Sequence, residues 1–187
     1  MDFGDYDSWK LGKFEGVAPS YVSSDILVYR IDGDGEVQTL VGTRQNEPWK
    51  NCLTVPMGGY VDDKDKNIRM ASLREVEEET GLVVRMEFFV GIYGPERYHY
   101  EFDGKRALWT GAKGHVRPVV AIVFAGRALG GKLNDTAEQH GLHWVYPEEL
   151  AGDPMAFDHA LALADFLMAM KDGSAFTWRK AALRLVR

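Results

Sequence analysis

Cysteine is nearly missing from this chain: Cys52 stands alone among 187 residues. A lone thiol closes no intrachain disulfide and builds no cysteine-based zinc site, so stapled secreted scaffolds are excluded and a reducing cytoplasm is the expected home. Long apolar runs are also missing. The longest, Val119 to Ala125, is far too short to span a bilayer, and the opening MDFGDYDSWK carries three aspartates and no apolar stretch; no membrane contact and no signal peptide are expected. Positive charge is not in excess either. The chain has 22 Lys and Arg against 28 Asp and Glu, a net charge of −6, which argues against a broad surface for nucleic acid and for a small-molecule partner. No repeat and no low-complexity linker breaks the chain. Its length suits a single domain, residues 1–187, with short additions at 1–20 and 174–187.

What is present reads as strands with two helices. The run Tyr21 to Tyr29, the Gly/Asp turn IDGDGE and the run VQTLVGTR predict a hairpin. CLTVPMGGYV is β-rich until Pro56 and a glycine pair end it, and the acidic, lysine-rich loop DDKDKN follows. Met70, Leu73, Val76 and Thr80 recur at helical spacing, with Gly81 placed for a left-handed C-cap, so a helix is predicted over 68–80. VVRMEFFVGIYG, RALWTGAKGHVRP, PVVAIVFAGRAL and HWVYPEEL read as further strands, and MAFDHALALADFLMAMK as a closing helix. The basic tail FTWRKAALRLVR is a last helical turn, a dimer contact or a loose end.

The chemistry concentrates in REVEEETG. Glu75, Glu78 and Glu79 stand at i, i+3 and i+4, stacking three carboxylates on one side of a helix while Met70, Leu73 and Val76 point largely the other way. Like charges at that spacing cost a few tenths of a kcal/mol per pair (~0.2–0.5) unless a cation neutralises them. Oxygen donors without nearby His or Cys favour Mg²⁺ or Mn²⁺ over Zn²⁺, and Mg²⁺ is commonly shared with substrate phosphates. A solvated helical face is the ordinary reading of such a run taken alone. The surroundings shift the balance: a Gly-Gly turn leaving a strand, an acidic loop, Arg74 directly before Glu75, and Thr80-Gly81-Leu82 at the helix end.

The stretch 58–82, GGYVDDKDKNIRMASLREVEEETGL, resembles the signature of the Nudix hydrolases: a Gly, five residues, a Glu, seven residues, then Arg-Glu, an aliphatic, any residue, Glu-Glu, any residue, Gly and an aliphatic. Arg74, Glu75, Val76, Glu78, Glu79, Gly81 and Leu82 match every fixed position of its second half. The first half carries one extra residue. Counting forward from Gly59 reaches Asp65, whereas counting back from Arg74 reaches Lys66. Asp65 is the conservative stand-in for the Glu, and the extra residue could restore its reach to Arg74; Lys66 would reverse the charge.

The resemblance implies an α/β fold, an α/β/α sandwich with a mixed, mostly antiparallel sheet. It implies Mg²⁺- or Mn²⁺-dependent attack of water on the diphosphate of a nucleoside diphosphate linked to another group. Glu75, Glu78, Glu79 and the Gly59 carbonyl would hold metal, one of these glutamates, with Glu75 and Glu78 counted as catalytic, could also accept a proton, and Arg74 would orient a carboxylate at the catalytic centre. Parts of the family take a base from a loop after the main sheet; Glu138, in DTAEQHGLHWV, ranks ahead of its neighbour His140, whose pKa is ordinarily near neutrality. Arg44 and Arg97 suit phosphate or a ribose-linked group, with surface arginine as the ordinary alternative. Trp49, Tyr93 and Tyr98 could stack on a base, although core packing is the commoner use. Cys52 reads as a small buried apolar residue.

The segment AFDH, with Asp158 and His159 opening the last helix, is similar to one in Nudix proteins of the ADP-ribose type, though capping would select the same residues. TRQNEPWKNCLTVPMGGYV is similar in layout to the nucleotide-sugar hydrolases, so ADP-ribose and nucleotide sugars are both favoured substrates. The alternative is a catalytically weak Nudix-fold nucleotide sensor, which the intact glutamates speak against. Homodimers are frequent in the family, and Phe3, Tyr6, Trp9 and Phe14 would suit an interface or cover a sheet edge.

Overall fold

The computed structural model describes residues 21–46, 49–61, 64–94, 100–102, 105–107 and 119–171. Phe3, Tyr6, Trp9, Phe14, Arg97, Tyr98 and the tail 174–187 lie outside them. The elements run β1 (Tyr21–Ile31), β2 (Val37–Arg44), β3 (Leu53–Thr54), β4 (Pro56–Tyr60), α1 (Ile68–Thr80), β5 (Leu82–Tyr93), β6 (Tyr100–Phe102), β7 (Lys105–Ala107), β8 (Val119–Gly131), β9 (Gln139–Val145), a 3₁₀ turn (Pro147–Leu150) and α2 (His159–Lys171). None of the described helices is long and apolar enough to cross a membrane.

The hairpin forms as its turn residues dictate. Asp32 Oδ1 accepts from the backbone N–H groups of Asp34 and Glu36, each at 2.9 Å, closing the loop between β1 and β2. Tyr29, Arg30 and Ile31 then pair antiparallel with Thr39, Gln38 and Val37. Beyond that point the two strands part. Ser23 to Leu27 of β1 pair with Tyr60 to Pro56 of β4, and Gly42 and Thr43 of β2 pair with Thr54 and Leu53 of β3. The sheet forks, and β3–β4 fills the fork. On its other edge β1 runs parallel to β8, from Tyr21 opposite Val119 to Tyr29 opposite Arg127. β5 continues the sheet antiparallel to β8, and β9 extends it antiparallel to β2. The expected mixed, mostly antiparallel sheet is therefore present.

Alternation along these strands feeds two cores, because successive side chains leave opposite faces. Ile26, Val28, Leu40 and Met57 join Val76 of α1, Leu82 and Met86 on one face. Leu27, Tyr29, Val41, Val123 and Ala125 join Ala162, Leu163 and Phe166 of α2 on the other. Phe166 is fully buried and packs against the rings of Tyr29 and Phe88. Helices on both faces make the α/β/α sandwich.

α1 starts and stops where capping chemistry places it. The Asn67 side chain accepts from Met70 N–H at 3.1 Å, and Gly81 adopts φ 74°, returning its N–H to the Glu77 carbonyl. A Cβ at Gly81 would strike the Lys132 carbonyl. The buried face keeps the expected Val76 and Thr80, with Leu73 packed against the same core, but differs at Met70 and Glu79. Ala71, Ser72, Val76, Glu79 and Thr80 face inward while Met70 is 48% exposed. The reason is polar contact with the sheet: the Ser72 and Ser24 hydroxyls hydrogen-bond each other, and Glu79 meets β4.

Candidate active site

At Gly58 and Gly59 the backbone of β4 lies so close to β1 and α1 that a side chain there would meet a carboxylate. A Cβ on Gly59 would lie 2.8 Å from the Glu75 carboxylate, and one on Gly58 would lie 2.5 Å from Asp25 Oδ1. The glycine pair therefore lets a helix carboxylate and a strand carboxylate close on one stretch of main chain. Gly58 N–H donates to Glu79 Oε2 at 3.0 Å, fixing the third carboxylate at the same place.

Arg74 organises the rest. Its Nε and Nη2 donate to Asp65 Oδ1 and Oδ2 at 3.0 and 2.8 Å, a bidentate fork. Its Nη1 lies 2.7 Å from Glu75 Oε1 and 2.8 Å from Glu78 Oε2. The Asp65 side chain is 4% exposed, whereas Lys66 is exposed, so the extra loop residue brings Asp65 and not Lys66 to Arg74. With these partners the guanidinium holds its proton more firmly than an ordinary arginine.

The carboxylates carry more negative charge than Arg74 offsets. Burial pushes Glu79 up to about 8, and the charges of Glu138, Asp25 and Glu75 add to it, against the opposing Gly58 N–H. Asp25 is pushed up to about 7, by burial first and the Glu75 charge next, against the Ser23 hydroxyl, which donates to it at 3.2 Å. Glu75 is raised by burial, against Arg74, and further by Glu78 and Glu138. In this geometry, among the described residues, no three His, Cys, Asp or Glu side chains form a ready metal cage; Glu75 and Glu78 are turned to Arg74. The donor chemistry nevertheless fits a hard divalent cation: all oxygen and mutually repelling, with burial and neighbouring acids keeping Glu79 mostly and Asp25 about half protonated at neutral pH.

Glu138 enters from the far side of the sheet fork. It is exposed, its backbone N–H donates to Thr136 Oγ1 at 3.3 Å, and its carbonyl accepts from Gln45 N–H at 2.9 Å, which pins the start of β9 to the end of β2. Its charge reaches Glu75 and Glu79. His140 lies two residues on, within β9 opposite Thr43, with its Nδ1 3.8 Å from Asp135 Oδ2. Arg44 closes β2, with its guanidinium 5.0 Å from the Phe157 ring centroid. Trp49 is exposed in the loop after β2. Tyr93 is a core residue, buried and donating to Asp165 Oδ2 on α2 at 2.9 Å. Cys52 is half-buried.

Asp25 escaped the reading of the sequence. The signal was there: one acid directly before the apolar run ILVY of β1, opposite the glycine pair. Nothing local tells such a residue from a strand-end polar group, since its partners are 33 to 54 positions away in Gly58 and Glu79.

With this geometry in view, the comparisons are decisive. The model of the NUDIX domain family matches residues 22–166. The chain belongs to the NUDIX domain family. This Nudix hydrolase is 29% identical over 144 residues, 76% of this chain and 72% of the relative, to an ADP-ribose pyrophosphatase of Methanocaldococcus jannaschii. It is 25% identical over 153 residues, 82% of each chain, to a MutT-like protein of Streptomyces ambofaciens. In fold it is similar to the NUDIX domain of Shewanella oneidensis NrtR, solved in complex with ADP ribose, at a TM-score of 0.61 and 16% identity, covering 88% of this chain and 98% of that one.

Proposed function

We propose that this Nudix hydrolase cleaves the diphosphate bond of a nucleoside diphosphate linked to another group, with ADP-ribose or a nucleotide sugar as the favoured substrate. The observation that carries the proposal is the gathering of the Asp25, Glu75 and Glu79 carboxyls around main chain that two glycines leave open, with burial pushing all three toward the protonated form. A structure does not keep such a cluster for stability, because each unneutralised carboxylate costs folding free energy.

The residues divide the work as follows. Glu75, Glu78, Glu79 and the Gly59 carbonyl would hold Mg²⁺ or Mn²⁺. Bound there, the cation would supply positive charge at the diphosphate and acidify the attacking water. Arg74 is a positioning residue: tied to Asp65 by two hydrogen bonds, it presents Glu75 and Glu78 on one side of α1. Glu138, exposed at the mouth of the cluster, accepts the proton of the attacking water. The oxygen of that water bonds to one phosphorus, the bridging oxygen leaves with the other phosphate, and two monophosphates result. Arg44 binds a phosphate or the group beyond it, and Trp49 lies on the same loop side of β2.

The test is a panel of ADP-ribose, GDP-mannose, UDP-glucose, nucleoside triphosphates and dinucleoside polyphosphates with Mg²⁺ or Mn²⁺, beside Glu79→Gln. Turnover of a diphosphate-linked compound that collapses in the variant is the expected result. Absence of turnover with both metals, while a nucleotide still raises the melting temperature, would transfer the protein to the nucleotide-sensor class.

A further inference from the structure

His159 opens α2 with an anomaly. Its Nδ1 is sealed from solvent and has no hydrogen-bond partner among the described residues, and it is the one such side-chain atom among them. A buried ring nitrogen without a partner is costly and calls for a reason. The imidazole packs against Phe157, ring centroids 5.5 Å apart, and Arg44 covers that phenyl ring in turn. Burial, and then the Arg44 charge, push the imidazole down to about 3, so the ring is neutral at physiological pH.

The backbone around it is strained in the same way from two directions. Trp49, Asn51 and Phe157, at φ 69°, 68° and 49°, are the non-glycine residues with positive φ among those described. They lie on two segments tied together by Leu53, whose N–H donates to the Pro154 carbonyl and whose carbonyl accepts from Ala156 N–H. Backbone strain of this kind persists where surrounding structure holds a site in shape. The place is also continuous with the carboxylate cluster: Arg44 pairs with Gln139 across β2 and β9, next to Glu138.

We infer that Arg44, Phe157 and His159 form a subsite for the hydroxyl-rich glycosyl group that the substrate carries on its diphosphate, with His159 Nδ1 as a specificity-determining contact. This rests on the reading of the protein as a diphosphate hydrolase. A nucleobase is the poorer occupant, because Arg44 and His159 already engage the Phe157 ring that would stack on it. A hydroxyl both donates and accepts, so it satisfies either tautomer of a neutral imidazole. His159 as a whole is half-buried, with the Phe157 ring beside its imidazole.

The experiment measures binding of ADP-ribose, GDP-mannose, ADP and GDP to the full-length protein in EDTA, for wild type, His159→Phe and His159→Asn. The Asn amide places a polar atom where Nδ1 stands. Expected is that wild type prefers one glycosyl diphosphate over its parent nucleotide, that His159→Phe loses about three- to tenfold of that preference while binding the parent unchanged, and that His159→Asn keeps most of it. The inference is overturned if wild type shows no preference, if His159→Phe retains it, if both variants lose it alike, or if affinity for ADP or GDP falls equally. A subsite contact that responds as expected in a protein without metal-dependent turnover would remove the hydrolase reading alone. Normal turnover with unchanged KM in His159→Phe would remove the subsite alone.

Discussion

Replacing Glu79 by Gln should stabilise the metal-free protein while abolishing its activity. Glu79 is 7% exposed, and its carboxyl is pushed up to about 8 against an ordinary 4.5. At pH 7 the unfolded chain carries this group ionised, and the folded chain holds it mostly protonated. The difference costs about 3.5 kcal/mol, at roughly 1.4 kcal/mol per pH unit between 4.5 and 7. Gln is neutral at every pH, and its side-chain oxygen can still accept the Gly58 N–H that Glu79 accepts at 3.0 Å. The sign follows from the raised pKa: the stabilising contribution of Glu79 is full below about 4.5 and is lost as pH rises toward 8. Thermal unfolding in EDTA should therefore show Glu79→Gln melting above wild type by about 8–16 °C at pH 7.5, with the gap closing toward pH 4.5. Added Mg²⁺ should raise the wild-type melting temperature more than that of the variant. A variant that melts at or below wild type at pH 7.5 in EDTA would refute the claim that Glu79 is held against its charge.

Three further outcomes follow from the same geometry. Arg74→Lys keeps a charge but loses the fork to Asp65, so kcat should fall roughly 10- to 100-fold with a change in melting temperature of about 2–4 °C or less, measured by steady-state kinetics and calorimetry. Gly59→Ala sets a Cβ against the Glu75 carboxylate, a flexible side-chain end that can move aside; the fold should survive while turnover drops on the order of 100-fold. Phe166→Ala empties a fully buried site between α2 and the sheet and should cost about 3–5 kcal/mol in denaturant unfolding, with KM unchanged in whatever remains folded.

Much of this arrangement was legible in the residues because it depends on local chemistry. The IDGDGE turn and Gly81 set element ends within a few positions of themselves, and the spacing of Glu75, Glu78 and Glu79 is a property of one helix. The family that the Arg74-to-Leu82 pattern resembles is the one whose model matches the chain. What the sequence hid depends on pairing between distant segments. Met70 reads as a core residue by periodicity, yet the helix turns Glu79 and Ser72 inward because β1 and β4 offer Ser24 and Gly58 as partners. Asp25 gains its place in the cluster from the fork that admits β4, which no short-range pattern encodes. His159 looks like a helix-capping residue until the rings and Arg44 are seen to enclose it.

The central claim is that the Glu75, Glu78 and Glu79 face works by taking up a divalent cation to split a diphosphate. Its most direct test is turnover of ADP-ribose and nucleotide sugars as Mg²⁺ or Mn²⁺ is titrated into EDTA-treated protein, for wild type and Glu75→Gln. Metal-dependent release of two monophosphates, reduced on the order of 100-fold or more in the variant, is the predicted result. Turnover that needs no metal, or that Glu75→Gln leaves intact, would contradict it.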